Sequence, residues 1–293
     1  MVKKAFYLEW LKIRHYRVFW ILLGLYLLSL VVLTSSGAVF LEFLKYKGIK
    51  WEGIDPTILP IYDFPDVWHN NAYLGHFTKI FLAFIVVISV TNDWTFQTMR
   101  QNIIDGISKQ EFILSKIILI AFLGAISTLF LFGTSLLIGL IYTHTYALRD
   151  IFSNMEFLFL YFLDIFKYCT FALFMTIMMR RPGFVIVFLI FYSLIIEPII
   201  GSILKFNPNI NASTWWIEPL LPSNYFSMTT GILGPLEYDT IGFGHKLIEF
   251  PFSRYALQEV QEGIYFWPFF ISICWSAIFI ILSAQRLIRK DVR

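Results

Sequence analysis

Charge is scarce in this sequence: Asp, Glu, Lys and Arg make up 15% of its 293 residues, against about 25% in an average soluble domain. Cysteine is scarcer still. Cys169 and Cys274 are the two present, each inside an apolar run with no CxxC and no neighbouring His cluster, which argues against a disulfide framework or a thiolate metal site. No G-x-x-x-x-G-K-[ST] loop occurs. The nearest approach, Gly242-Phe243-Gly244-His245-Lys246, has the wrong spacing for cradling a nucleotide phosphate. HExxH and GxSxG motifs are also missing. The chain is therefore not expected to be an enzyme, to hydrolyse ATP itself, or to bind a metal. A net charge of +3 is too small to suggest a nucleic-acid partner.

What is abundant is apolar surface. Hydrophobic residues make up 58% of the chain, with 32 Phe among them, where roughly 45–50% is usual. They gather into runs long enough to cross a bilayer, which takes about 20 residues per helix. The expected fold is all-α and polytopic, one membrane domain over 1–293, with six transmembrane helices near 18–40, 72–90, 117–142, 157–179, 183–204 and 264–284. Ahead of them, Lys3, Lys4, Lys12, Arg14 and Arg17 interleave with Phe6, Leu8, Trp10, Leu11 and Ile13, the pattern of a basic amphipathic interfacial helix over 1–17. The first run is too long for a cleaved signal peptide.

Lys and Arg near span ends set orientation. The segments 1–17, 92–116, Arg180–Arg181 and the tail after 284 hold most of the chain's 23 Lys and Arg residues. This predicts cytoplasmic N- and C-termini and an even number of spans. The longest non-spanning stretch, 205–263, then lies on the extracytoplasmic side. Its apolar patches (Trp215-Trp216-Ile217, Leu220-Leu221 and Ile232-Leu233) suggest short helices at the outer interface before the last span.

The most informative stretch is 92–116, between the second and third spans. It reads as two short helices broken at Gly106, with Ser108 and Glu111 spaced as a capping box for the second. Phe96, Met99 and Ile103 recur at helical spacing and make an apolar face that needs a cover. This segment resembles that of ABC-2 type transporter permeases. In that family an acidic residue, a Thr-x-Arg element, a turn residue, Ser-Arg, an aromatic and a Lys lead into the third span. Asp93, Thr98, Arg100, Gly106, Ser108, Lys109, Phe112 and Lys116 occupy those places here. Asp93 stands where Glu is usual, Gln97 where Gly is common, and Lys109 for Arg.

The resemblance implies a permease subunit that forms half of a translocation pathway, an exporter in preference to an importer. It would act as a dimer, with a homodimer as first choice. The segment 92–116 would be a coupling helix docked on one of two copies of a separate ABC ATPase, and ATP and Mg would be bound there and not by this chain. Asp93, Arg100 and Lys109 would make the polar contacts. Placement in the cytoplasmic (inner) membrane of a bacterium, and an extracytoplasmic accessory protein on the aromatic-rich 205–263 segment, follow as further expectations. The bland alternative for 92–116 is a helix on the membrane surface with a solvated charged face.

Ionisable residues inside spans are costly and single themselves out. Asp164 and Lys167 are three apart on one helix and share a face. They are either a self-neutralised packing pair or part of a pathway lining. Lys79 either snorkels to the outer interface or joins that lining. Glu197-Pro198 marks a kink or hinge in the fifth span, and His76 reads as a packed, hydrogen-bonded histidine. These charges keep a rival reading open, an ion-coupled secondary transporter. A membrane enzyme acting on lipid-linked substrates, or a structural membrane anchor, are the others.

Overall fold

The computed structural model describes residues 2–48, 62–104, 106–143, 148–196, 199, 248 and 263–289. The described chain is helical throughout. In order, α1 is Val2–His15, α2 Arg17–Lys47, α3 Asp66–His76, α4 Lys79–Thr95, α5 Thr98–Ile104, α6 Lys109–Tyr142, α7 Leu148–Phe152, α8 Glu156–Met179, α9 Pro182–Phe191, followed by a π turn at Tyr192–Ile196, and α10 Phe266–Arg289. Four helical stretches are long and apolar enough to cross a membrane, and five if α3 and α4 count as one bent span. The fifth expected span is present as a shorter apolar helix, 182–196. The calls on Glu197, Pro198 and nearly all of 205–263 lie outside the described residues.

The organising element is α8. It packs against α3, α4, α6 and α10. Its best apolar window, in 148–179, is 78% buried, against 28% for those of α2 and α10 and 33% for that of α6. It is also the least hydropathic of the four spans, at 1.7. In a bilayer these two facts belong together: the helix that carries charge must face protein, and the fully apolar helices face lipid.

Two expectations about the elements need correction. The second span is not one straight helix: α3 and α4 meet at 47°. At the junction the backbone tightens to three-residue bonds, Thr78 N–H to Gly75 O at 3.0 Å and Phe81 N–H to Thr78 O at 3.0 Å. The Thr78 hydroxyl also donates to the Gly75 carbonyl at 2.7 Å, which competes with the α-helical ladder. Secondly, Ser108 does not open a separate short helix. Both arms of its capping box with Glu111 are made, but the helix they start is α6, which continues for 34 residues to Tyr142. At 1.5 Å per residue that is about 51 Å, some 20 Å more than a hydrocarbon core of ~30 Å needs. The surplus lets 109–116 pack against α1 and the end of α10, where Phe112, Ile113, Ser115 and Lys116 are buried. Ser108→Ala is expected to cost about 1 kcal/mol, read as an earlier thermal midpoint in detergent, with Ser108→Asp close to wild type.

Close helix packing relies on small residues, as is usual where lipid supplies no hydrophobic drive between helices. At Gly139 a Cβ would run into the Phe64 ring, with ring atoms at 2.7 and 2.8 Å. The basic residues of several elements gather at one end of the bundle. There α1 packs on α6, Lys109 of α6 donates to the Ile288 carbonyl of α10 at 3.1 Å, and the Arg180 guanidinium lies 5.5 Å above the Trp94 ring. Arg180 adopts the left-handed conformation (φ 57°) that ends α8, and Pro182 begins α9 at once. This is the tight basic turn expected from Arg180-Arg181-Pro182.

Candidate functional site

Two buried charge clusters and the segment between α4 and α6 carry the chemistry of the described residues. The first cluster lies at the basic end. Glu9 and Lys12 come from α1, Asp93 from the last turn of α4 and Lys116 from α6. Lys12 Nζ donates to Asp93 Oδ1 at 2.8 Å and stands 3.7 Å from Glu9. Lys116 Nζ lies 2.5 Å from Asp93 Oδ2 and 2.9 Å from Glu9 Oε1, and donates to Ser89 Oγ at 3.1 Å. The Ser115 hydroxyl donates to Glu9 at 2.9 Å and that of Thr98 to Asp93 Oδ1 at 2.9 Å. Two carboxylates and two ammonium groups balance. Buried ions without such pairing would each cost several kcal/mol.

This arrangement revises the expected role of α1. The helix buries Glu9 and Ile13 against the bundle and turns Tyr7 (61% exposed) and Leu11 (40% exposed) outward. It is held partly by an ionic face, and Tyr7 and Leu11 point away from the bundle. Glu9 was not anticipated at all. Its hydrogen-bond partners Ser115 and Lys116 are more than 100 residues away in sequence, and a single Glu in a basic helix gives no local sign of burial.

The segment after α4 is a short helix set off by two breaks. Gln97, in the place where the resemblance has Gly, takes a left-handed φ of 53°, and Gly106 takes 85°. Between them α5 buries Met99, which packs with Phe112, Ile113 and Leu287 and accepts a hydrogen bond from Trp94 Nε1 at 3.2 Å. The expected shared face is therefore split. Met99 is covered by this chain's own α6 and α10, while Phe96 (68%) is exposed; the Ile103 side chain lies outside the described residues, and its neighbour Ile104 (76%), not part of the expected face, is exposed. Of the three polar contacts expected, Asp93 is 3% exposed and committed to two internal lysines, so it is not a surface contact. Lys109 is bonded to α10. The Arg100 side chain lies outside the described residues. Phe112 is buried, Thr98 binds Asp93, and Gly106 and Ser108 shape the turn. The sequence located the segment; which side chains point outward depends on contacts with α1, α6 and α10 that no local pattern encodes.

The second cluster sits at the α3–α4 break. His76, the last residue of α3, and Lys79, the first of α4, both bind the Asp164 carboxylate of α8. His76 Nδ1 is 2.8 Å from Oδ2, and Lys79 Nζ is 2.9 and 3.1 Å from the two oxygens. Lys167 stands 3.5 Å from Asp164. Lys79 lies 5.2 Å over the Tyr168 ring and is 0% exposed, so it does not snorkel. Asp164 and Lys167 do meet, but the carboxylate's nearer partners are His76 and Lys79. The spacing of 76 and 79 was the available signal, since both fall on one face of a helix with 164 free to answer them. A buried hydroxyl cluster lies alongside: Tyr26 bonds Ser127 and, at 2.8 Å, Tyr161. Among the described residues no group of three or more His, Cys, Asp or Glu side chains is placed to hold a metal.

A family model described as "Protein of unknown function (DUF2705)" matches residues 55–293, which takes in both breaks, α5, α8 and α10. No curated protein matches the chain.

Proposed function

We propose that this chain, which belongs to the DUF2705 family, is the membrane-spanning subunit of an ATP-driven ABC transporter and couples to a separate ATPase through α5. The observation that carries this reading is the build of 93–112. A seven-residue helix is isolated by left-handed residues at 97 and 106. The segment exposes Phe96 at the end of α4 and Ile104 at the end of α5, while Thr98 is held by Asp93, itself paired with Lys12 and Lys116, and Met99 packs on Phe112 and Leu287. A push on its exposed face passes directly to α1, α4, α6 and α10. That is the mechanical property a docked coupling helix needs, since rigid-body motion is transmitted through packed elements that cannot deform smoothly.

On this reading Asp93 and Phe112 are positioning residues, Phe96 and Ile104 meet the partner, and the basic end faces the cytoplasm. Six spans arise from α2, the bent α3–α4 pair, α6, α8, α9 with its continuation, and α10. Two copies of the chain, identical as the simplest case, form the pathway, and two ATPase subunits supply ATP and Mg. Export from a bacterial inner membrane is the direction the resemblance favours, with an accessory protein on the 205–263 side. Phe96→Asp/Ile104→Asp, which leaves both ion clusters and Met99 intact, is expected to fold and insert normally but to lose a co-purifying ATPase. Retention of the ATPase at wild-type level contradicts the docking face.

A second reading, ion-coupled secondary transport, is favoured by one observation, the His76–Lys79–Asp164–Lys167 cluster at a break in a span. Buried ionisable groups at broken helices are what such transporters use. It predicts transport that follows an ion gradient and persists without ATP.

A further inference from the structure

A groove of about 230 Å³ runs along the basic end between α1, the first turns of α2, and α4. Phe19, Leu22, Ile85 and Ile88 form its walls, Lys12 stands at its polar end, and Phe96 and Thr98 of the α4–α5 region border it. Its volume is below the ~300 Å³ at which pockets enclose a whole drug-sized ligand. It suits part of one hydrocarbon chain.

The charged residues that line it, Lys12 and Asp93, pair with each other, and the exposed charge on the adjoining stretch of chain has one sign. From Trp10 to Leu41 the sequence contains Lys12, Arg14, His15 and Arg17 and no Asp or Glu. Arg14 and Arg17 are exposed. Lys12 is 31% exposed and is paired with Asp93 at 2.8 Å and Glu9 at 3.7 Å. Glu9 and Asp93 are neutralised by Lys12 and Lys116, and the exposed cations next in sequence to the groove residues Ile13 and Tyr16 are Arg14 and Arg17. Tyr7 and Leu11, exposed one and two turns earlier on α1, place an apolar anchor beside this basic rim, the composition of a helix lying in the headgroup region.

We propose that the groove binds one acyl chain of an anionic phospholipid, with the headgroup phosphate on Arg14 and Arg17. The bound chain touches Phe96 and so reaches the root of α5. The proposal rests on α1 lying at the bilayer interface and does not require an ATPase partner.

Its test is native mass spectrometry of the delipidated full chain in mild detergent, titrated with phosphatidylglycerol or phosphatidylcholine of identical chains. The expected result is a phosphatidylglycerol adduct favoured over phosphatidylcholine. It should weaken about thirtyfold in Arg14→Gln/Arg17→Gln, at roughly 1 kcal/mol per basic residue. It should be lost when Ile88→Trp fills the groove. Ile88 is only half-buried, and the arginine variant is a surface change, so at least one of the two reports on a folded protein. Equal binding of the two lipids, or adducts unchanged in a folded variant, overturns the proposal. Because no ATPase is present, failure here leaves the coupling reading untouched, and failure of the coupling reading leaves this one.

Discussion

Asp164→Asn is expected to be the most damaging single substitution in the membrane core. The carboxylate is 2% exposed and answers His76 on α3, Lys79 on α4 and Lys167 on α8. Removing its charge leaves two buried ammonium groups facing a neutral amide. Breaking a buried pair from one side costs about 3–5 kcal/mol, most of it the uncompensated partner. Because His76 and Lys79 flank the 47° break, the loss is also expected to loosen α3 against α4. Distances rank the partners: Lys79→Met, which removes contacts at 2.9 and 3.1 Å, should destabilise more than Lys167→Met, which removes one at 3.5 Å. Asp164→Asn/Lys79→Met should cost less than the sum of its singles, since contacting residues do not add. Thermal unfolding of the detergent-solubilised variants, followed by monodisperse peak height, checks the order. A Lys167→Met variant more damaged than Asp164→Asn would contradict it.

Asp93→Asn is the second large effect, and its consequence is different in kind. Asp93 joins α4 to α1 through Lys12 and to α6 through Lys116, and it holds Thr98 at the start of α5. A destabilisation again near 3–5 kcal/mol is expected. Asp93→Asn/Lys116→Met should recover part of it, because Glu9 and Lys12 then remain as a balanced pair. Asp93→Glu keeps the charge, and the resemblance puts Glu in this place. It should stay folded, with any loss confined to how firmly α5 is seated. Hydrogen exchange separates the two effects. Asn should raise exchange through α1, α4 and the start of α6 together, and Glu should raise it in 97–104 alone. Uniform protection in both variants would mean that the cluster does not anchor the segment.

The contrast between the two clusters shows what a sequence of this type discloses. The apolar runs marked the spanning helices because bilayer thickness imposes their length. Ser108 and Glu111 marked a helix start because capping is a contact over three residues. Asp164 and Lys167 were found by the same local spacing. What escaped were the partners contributed by other helices. Glu9 was hidden in a basic segment. Lys79 read as a side chain able to reach the interface, when burial against α8 holds it inside. Asp93 was expected as a docking contact because the resemblance puts an acidic residue there, yet Lys12 and Lys116 draw it inward. The extra length of α6 and the bend at 77–78 were also missed. Helix propensity is continuous across both, and the break depends on the Thr78–Gly75 contact and on charges from another helix.

The most direct test of the central claim is the composition of the complex extracted from native membranes in mild detergent and weighed intact. The account predicts two copies of this chain with two copies of a phosphate-loop ATPase, and ATP hydrolysis in the same peak. A membrane that expresses such an ATPase but yields this chain alone, or with other proteins only, would contradict the account and turn attention to ion-driven transport through the Asp164 cluster.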